Sequence, residues 1–326
     1  MNRTFTRRRL VTSAVALAAV SAAGPLRAQA FPSRPVRILV GFSAGGGMDT
    51  LARLLATELQ RVLGQQVVVE NRAGASGMIA ADGVAKAPAD GHTLLVGESG
   101  LLIVRLLRPD RGVDPLAAFT PVAGLFIPPL MVVANNDVPI ASPQELVHEL
   151  RARPGHYAYA TSGVGTVHHL GFEWFMGQTG TSAVHIPYRG AAQIIPDVIG
   201  GQVPLAVVSA IAGIPHSRGG RLRAVAMMSP VSLPGAEHVR PLANVLPGFD
   251  VAPRVTLLAP AGTPAPVVQQ INLAVRSVLA EPATVLQLNQ QGAVPAFMAA
   301  DALAEDLRRE SATWGEVIRS RGIRLD

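Results

Sequence analysis

Cysteine is absent from this chain of 326 residues, which excludes disulfides and thiolate chemistry but not an oxidising compartment. Aromatic residues are scarce at 4%. The apolar run Leu10–Ala23 is alanine-rich and too short for a membrane span of about 20 apolar residues. Acids are missing from the first thirty residues, which hold five arginines. The formal charge of +6 arises from 28 basic against 22 acidic residues; without that segment the balance is 23 against 22. The basic excess therefore belongs to one end, and no basic face for nucleic acid is indicated.

That first segment reads as an export signal. Arg3, Arg7, Arg8 and Arg9 precede the apolar run, and Ala28-Gln29-Ala30 is a small-x-small cleavage site, so the mature chain is expected to begin at Phe31, in the periplasm. Thr6-Arg7-Arg8-Arg9-Leu10-Val11 also fits a twin-arginine signal. The remaining residues exceed what one core usually serves. Glycine (32) and proline (26) fall between short apolar runs, not in one block, as in a globular α/β chain.

Strand-like runs recur at Val36–Val40, Gln66–Val69, Thr93–Val96, Leu130–Ala134, Tyr157–Ala160, Val184–Ile186, Val203–Ser209, Leu222–Met227 and Val255–Leu258. Helical patterns separate them. Leu51–Leu63 carries one apolar stripe and stops at Gly64. Ser142-Pro143-Gln144-Glu145 is a capping box with proline at the first helical position. Thr263-Pro264 starts another helix, and Asp301 is expected to cap the last. Trp174 and Trp314 read as core. The alternation predicts mostly parallel sheets covered by helices on both faces.

The most informative stretch is Phe42-Ser43-Ala44-Gly45-Gly46-Gly47-Met48-Asp49, between the first strand and its helix. Glycines leave amides uncovered, and a helix start behind them carries a partial positive charge, so the turn predicts an anion-docking point. Similar turns recur at Asn71–Gly77, Ala160–Thr166 and Pro187–Ala192. All lie at carboxyl ends of strands, where open α/β sheets bind ligands, and they come from both halves of the chain.

Other chemistries fit less well. Gly41-Phe42-Ser43-Ala44-Gly45 matches the nucleophile elbow of a serine esterase, with His168, His169, His185 or His216 as partners. That elbow normally follows several strands, whereas this one follows the first. The three glycines form neither a dinucleotide fingerprint nor a P-loop, since no lysine follows. His168 and His169 are adjacent, diverge on a helix and make no metal pair; His168 is a candidate for a hydrogen bond in the cleft. No metal or cofactor is predicted. Arg189 is a candidate carboxylate clamp, with the alternative that Gly190 makes the contact.

With these residues in view, the chain resembles the Bug family, the periplasmic solute receptors of tripartite tricarboxylate transporters. The likeness runs through Phe31–Arg37, Gly45-Gly46-Gly47 with Asp49, Val68–Ala75, Lys86–Leu95, Gly163–Leu170, His185–Gly190 and Leu258–Pro264. It implies a two-domain type II periplasmic-binding fold with a ligand cleft between the domains. Expected boundaries are 31–128 plus 255–326 for the first domain and 129–254 for the second. It also implies a receptor, not an enzyme, that closes on a small carboxylate for membrane transporter subunits or a sensor. Site residues carried over are Phe42 to Asp49, Ser76 and Gly77 from one domain. The other supplies Thr161, Ser162, Thr166, Arg189, Gly190, Ala191 and Asp197.

Departures from the family pattern fall around the expected pocket. Ser43 and Ala44 replace prolines, Met48 replaces threonine, and Pro204 replaces an acid. Glu98, beside Ser99, stands where threonine or a small residue is common, and Val208 and Ser209 stand where acidic and amide residues are usual. If Glu98 faces the cleft, these changes favour an amino- or aryl-substituted monocarboxylate over a tricarboxylate. The alternative is that Glu98 meets solvent or pairs with Arg105.

Overall fold

The computed structural model describes residues 31–188, 191–231 and 233–325; the export signal and its cleavage site lie outside the described residues. Two sheets organise the chain. The first holds β1 (Val36–Val40), β2 (Val67–Asn71), β3 (Thr93–Glu98), β4 (Phe119–Ile127), β10 (Val255–Pro260) and β11 (Val294–Met298), in the order β11-β4-β10-β3-β1-β2. The second holds β5 (Leu130–Ala134), β6 (Ala158–Thr161), β7 (Val184–Pro187), β8 (Leu205–Ser209) and β9 (Arg223–Met227), in the order β7-β6-β8-β5-β9.

Both sheets are mixed, which corrects the expectation of mostly parallel ones. The pairs β1–β2, β1–β3, β6–β7 and β6–β8 are parallel, whereas β10 runs antiparallel to β3 and β4, and β5 antiparallel to β8 and β9. Two of the reversed strands, β5 and β10, carry the chain between sheets, and β11, antiparallel to β4, is reversed as well. Pro128-Pro129 joins β4 directly to β5, and Arg254 leads the return into β10.

Two strands were not legible in the sequence because proline and glycine interrupt them. In β4, Pro121 sits beside a register shift against β10, where the lost donor is tolerated. Gly124 is needed because β11 crosses closely: a Cβ there would lie 2.7 Å from Cβ of Met298 and 3.0 Å from the Ala296 carbonyl oxygen. Pro295 lies in β11, at the sheet edge.

Helices cover both faces of each sheet. On one face of the first sheet, Leu51, Leu55 and Leu59 of α1 (Gly47–Leu63) pack with Ile271 and Val275 of α9 (Ala265–Leu279). α10 (Pro282–Gln290) adds Leu288 to that core. On the other face, α2 (Met78–Ala85) packs with Leu101 and Leu102 of α3 (Gly100–Leu107) and with Leu303 and Leu307 of α11 (Ala300–Arg321). A short helix, α4 (Pro115–Ala118), precedes β4.

In the second sheet, α5 (Pro143–Ala152) and α6 (Val167–Thr179) cover one face, and α7 (Ala191–Ile199) and α8 (Ala210–Arg218) the other. Local signals explain several boundaries. Gly64 closes α1 in the left-handed conformation (φ 66°), donating to the Gln60 carbonyl. Ser142 caps α5, its Oγ accepting from the Glu145 amide at 3.2 Å. The last helix starts differently from expectation: Ala299 is its cap, and Asp301 lies in its first turn, where a carboxylate favours the positive end without capping it.

The long α11 belongs to both halves. Leu303 and Leu307 pack on the first sheet, while Trp314 and Val317 sit in the core of the second. Trp174 of α6 meets Trp314 edge-on with ring centroids 6.4 Å apart, and Arg321 donates to Glu173 at 2.7 Å.

Candidate functional site

The strand-end loops of the two sheets converge on a cavity of 320 Å³, within the range of small-ligand pockets. From the first half come Phe42, Ser76, Glu98 and the start of α3 at Gly100. Ser162, Gly165, Thr166, Val167 and His168 face them from the β6–α6 turn. Val104, Leu107, Val164, Pro253 and Leu325 complete the wall. A wider groove of 620 Å³ is lined by α6 and α11 alone and contains none of these loops.

Backbone contact places the two first-half loops side by side. A Cβ on Gly41 would lie 2.3 Å from the Gly77 Cα, so the end of β1 and the turn before α2 touch main chain to main chain. Ala75 (φ 47°) and Ser76 (φ 52°) both adopt the left-handed conformation in that turn, a costly arrangement for non-glycine residues that clusters at functional sites.

The glycine-rich loop itself is a scaffold built around Asp49, which is buried. Its carboxylate accepts from the Gly45 amide at 2.8 Å, from Asn71 Nδ2 at 2.9 Å and from Arg53 Nε at 3.0 Å. The Arg53 hydrogen bond is the main reason its carboxyl is held down at about 2. Asn71 also donates to the Phe42 carbonyl at 3.1 Å. Ser43, Ala44, Gly45, Gly46, Gly47, Met48 and Asp49 do not line the cavity; Phe42 alone of this loop does.

The opposite loop is built with neutral groups. Thr166 caps α6, its Oγ1 accepting from the His169 amide and donating to the Gly163 carbonyl at 2.9 Å. Thr161, fully buried, exchanges a 2.7 Å hydrogen bond with His185 Nε2, and His169 stacks on His185 with centroids 3.9 Å apart. The Gly165 amide donates to His169 Nδ1 at 3.3 Å. Burial pushes His168, His169 and His185 each down to about 4, so all three imidazoles are neutral near pH 7. The first-turn amides of Val167 and His168 have no acceptor within the helix, and both residues line the cavity.

Glu98 lines the cavity from the end of β3. Its carboxylate bends over the start of α3: a Cβ on Gly100 would lie 2.9 Å from Glu98 Oε1, so glycine suits the following turn. Burial, with Glu310 nearby, pushes Glu98 up to about 7. Arg105 donates to the Pro109 carbonyl instead. The Ser99 hydroxyl is fully buried, accepts from the Arg254 amide at 2.9 Å and bonds Glu310; it braces the crossover and does not line the cavity.

Other carried-over residues have structural places. Val208 is buried in the core against α7 and α8, and Ser209 precedes α8 at its N-cap position without a side-chain capping bond. Asp197 accepts from the Tyr188 hydroxyl at 2.6 Å, which braces the β7–α7 turn. Gly77 ends the left-handed turn, behind Ser76. Arg189 and Gly190 lie outside the described residues, and Ala191 opens α7. The sequence reading missed Gly100, Val104, Leu107, Pro253 and Leu325. The apolar ones carry no motif and read as ordinary core; the position of Glu98 was the available signal for Gly100.

The esterase alternative lacks its constellation. Among the described residues no hydrogen bond joins Ser43 to a histidine, and His169 and His185 are committed to each other and to Thr161. Comparison with known proteins decides the class. The model of the tripartite tricarboxylate transporter family receptor matches residues 51–323. Protein BugT of Bordetella pertussis is 34% identical over 321 residues, covering 98% of either chain. The structure titled R. palustris Rpa4515 with adipate superposes with TM-score 0.75 at 33% identity, over 90% of this chain and 99% of that one. MatC of Rhodopseudomonas palustris, with bound malate, superposes at 0.69 with 31% identity, over 88% and 100%. The periplasmic binding protein BugD superposes at 0.71 with 29% identity, over 91% and 100%. The two sheets, the shared cavity and these matches agree: the chain belongs to the tripartite tricarboxylate transporter receptor family, whose members are two-domain periplasmic binding proteins and not enzymes.

Proposed function

We propose that this receptor captures a small organic carboxylate in the 320 Å³ cavity and closes on it. The observation that carries the reading is that loops from both sheets line one cavity, with the first-turn residues Val167 and His168 of α6 in its wall. Oriented amides neutralise a carboxylate without a full countercharge, so binding is strong and reversible. The relatives with adipate and malate support the ligand class. The two lobes comprise residues 31–128 with 255–326, and residues 129–254, and they hinge at the β4–β5 and Pro253–Val255 crossings. A ligand touching both lobes stabilises the closed state. The chain is exported with cleavage after Ala30, and the closed form docks on membrane transporter subunits or a sensor.

A thermal-shift screen of the chain from Phe31 against mono- and dicarboxylates, aromatic acids and amino acids tests this. A ligand at 100 times its dissociation constant adds about 2.7 kcal/mol of stability. Ser162→Ala and Thr166→Val should each weaken the hit. A folded protein that no carboxylate shifts would overturn the proposal.

A further inference from the structure

We propose that Glu98 is the specificity-determining residue of the cavity and that it receives an ammonium group, so that the ligand is a zwitterionic amino carboxylate. This rests on the carboxylate reading above and narrows it.

The charges around the cavity carry the argument. Among the described lining residues, Glu98 is the ionisable acid, no lysine or arginine is present, and His168 is held neutral. Among the described residues no guanidinium pairs with Glu98: Arg105 is spent on the Pro109 carbonyl, and Arg254 serves Asp250 at 3.3 Å and Asp306 at 3.4 Å. Behind Glu98 the field is more acidic still. Glu310 and Asp306 of α11 are buried there, Glu310 accepting from Trp314 Nε1 at 3.0 Å, with Arg254 and the exposed Arg309 as the nearby cations. A second carboxylate on the ligand would enter this negative end without a partner, and a buried unpaired charge is strongly disfavoured. A cation there gains a charge-assisted hydrogen bond.

The opposite wall has the complementary sign. The start of α6 offers amides to the ligand carboxylate, and Phe42, Val104 and Leu107 supply an apolar surface for the body between. Glu98 is neutral in the empty cavity below about pH 7. An arriving ammonium favours its ionised form, so binding at pH 6 releases a proton to solvent.

The experiment is isothermal titration of the chain from Phe31, wild type and Glu98→Gln. The ligands are the proteinogenic amino acids, straight-chain ω-amino acids, the desamino analogue of each, and adipate. Titrations run at pH 6 and pH 8 in two buffers of different ionisation enthalpy. The expected result is an amino acid that binds at least about tenfold more tightly than its desamino analogue, with proton release at pH 6. Glu98→Gln should erase that advantage, bringing the amino acid to the affinity of its desamino analogue or below. Glu310→Gln, should Glu98→Gln fold poorly, should reduce proton release while the preference for the amine persists. A desamino acid or adipate that binds as tightly as any amino acid would overturn the inference while leaving the carboxylate reading intact. So would adipate binding with proton uptake, which would make Glu98 a neutral hydrogen-bond donor. Silence from every compound would remove the carboxylate reading and this inference together.

Discussion

The β1–α1 and β6–α6 loops look alike in sequence, both glycine-rich turns between a strand and a helix, yet they are built and used differently. The first is held by an ionised, buried carboxylate, Asp49, tied to Arg53, Asn71 and the Gly45 amide. The second is held by a hydroxyl cap and by neutral stacked histidines. The glycines of the first loop stay off the cavity, whereas most of the second lines it. A carboxylate placed beside a bound anion would repel it, so the charged scaffold supports its loop from behind. The β6–α6 wall of the cavity uses groups without a full charge.

The largest expected effect breaks the first loop at its base. Gly41→Ala puts a methyl group into the Gly77 backbone and should cost about 3 kcal/mol, read as a lower midpoint in urea. Acid should distinguish the loops next. The buried His169 and its stacking partner His185 have folded values near 4, below the ordinary 6.5. The unfolded chain binds more protons between those limits, so their contribution is complete above pH 6.5 and is lost as pH falls toward 4. Histidine NMR titrations that place both near 6.5 would contradict this neutral scaffold.

Asp49→Asn should cost about 1 to 2 kcal/mol at pH 7, since Arg53 is half exposed and screened. Because Asp49 is lowered from 3.8 to about 2, that difference should persist at pH 5 and shrink as pH falls from 3.8 toward 2. Thr166→Val should cost about 1 kcal/mol through the lost cap and also weaken ligand binding. The smallest effect is expected at Gly47, where an added Cβ meets nothing within 4 Å. Gly47→Ala should leave stability and affinity nearly unchanged, and a tenfold loss of affinity would show that the first loop's glycines do touch ligand.

Much of the architecture was legible locally. Leu130–Ala134 is a continuous apolar run, and Val36–Val40 is apolar but for Arg37; both have the observed strand limits, and Gly64 and Ser142 punctuate their helices as their chemistry requires. β4 and β11 were not, because Pro121, Gly124 and Pro295 read as breakers until the neighbouring strands show why they are tolerated. For the site, Ser76, Ser162, Thr166 and His168 could be found from turns at strand ends. Val208 could not be excluded, since an apolar strand residue looks the same facing a cleft or a core.

The sequence alone determined the alternation of strands and helices, the family, and the turns that can hold an anion. These follow from local periodicity and backbone freedom. Strand direction was decided only by tertiary structure, because β5 and β10 reverse to carry the chain between lobes. So was the role of each loop, which depends on partners far along the chain. Arg254 meets Ser99 across 155 residues of chain, and Glu310 reaches Ser99 from α11, which packs on both halves.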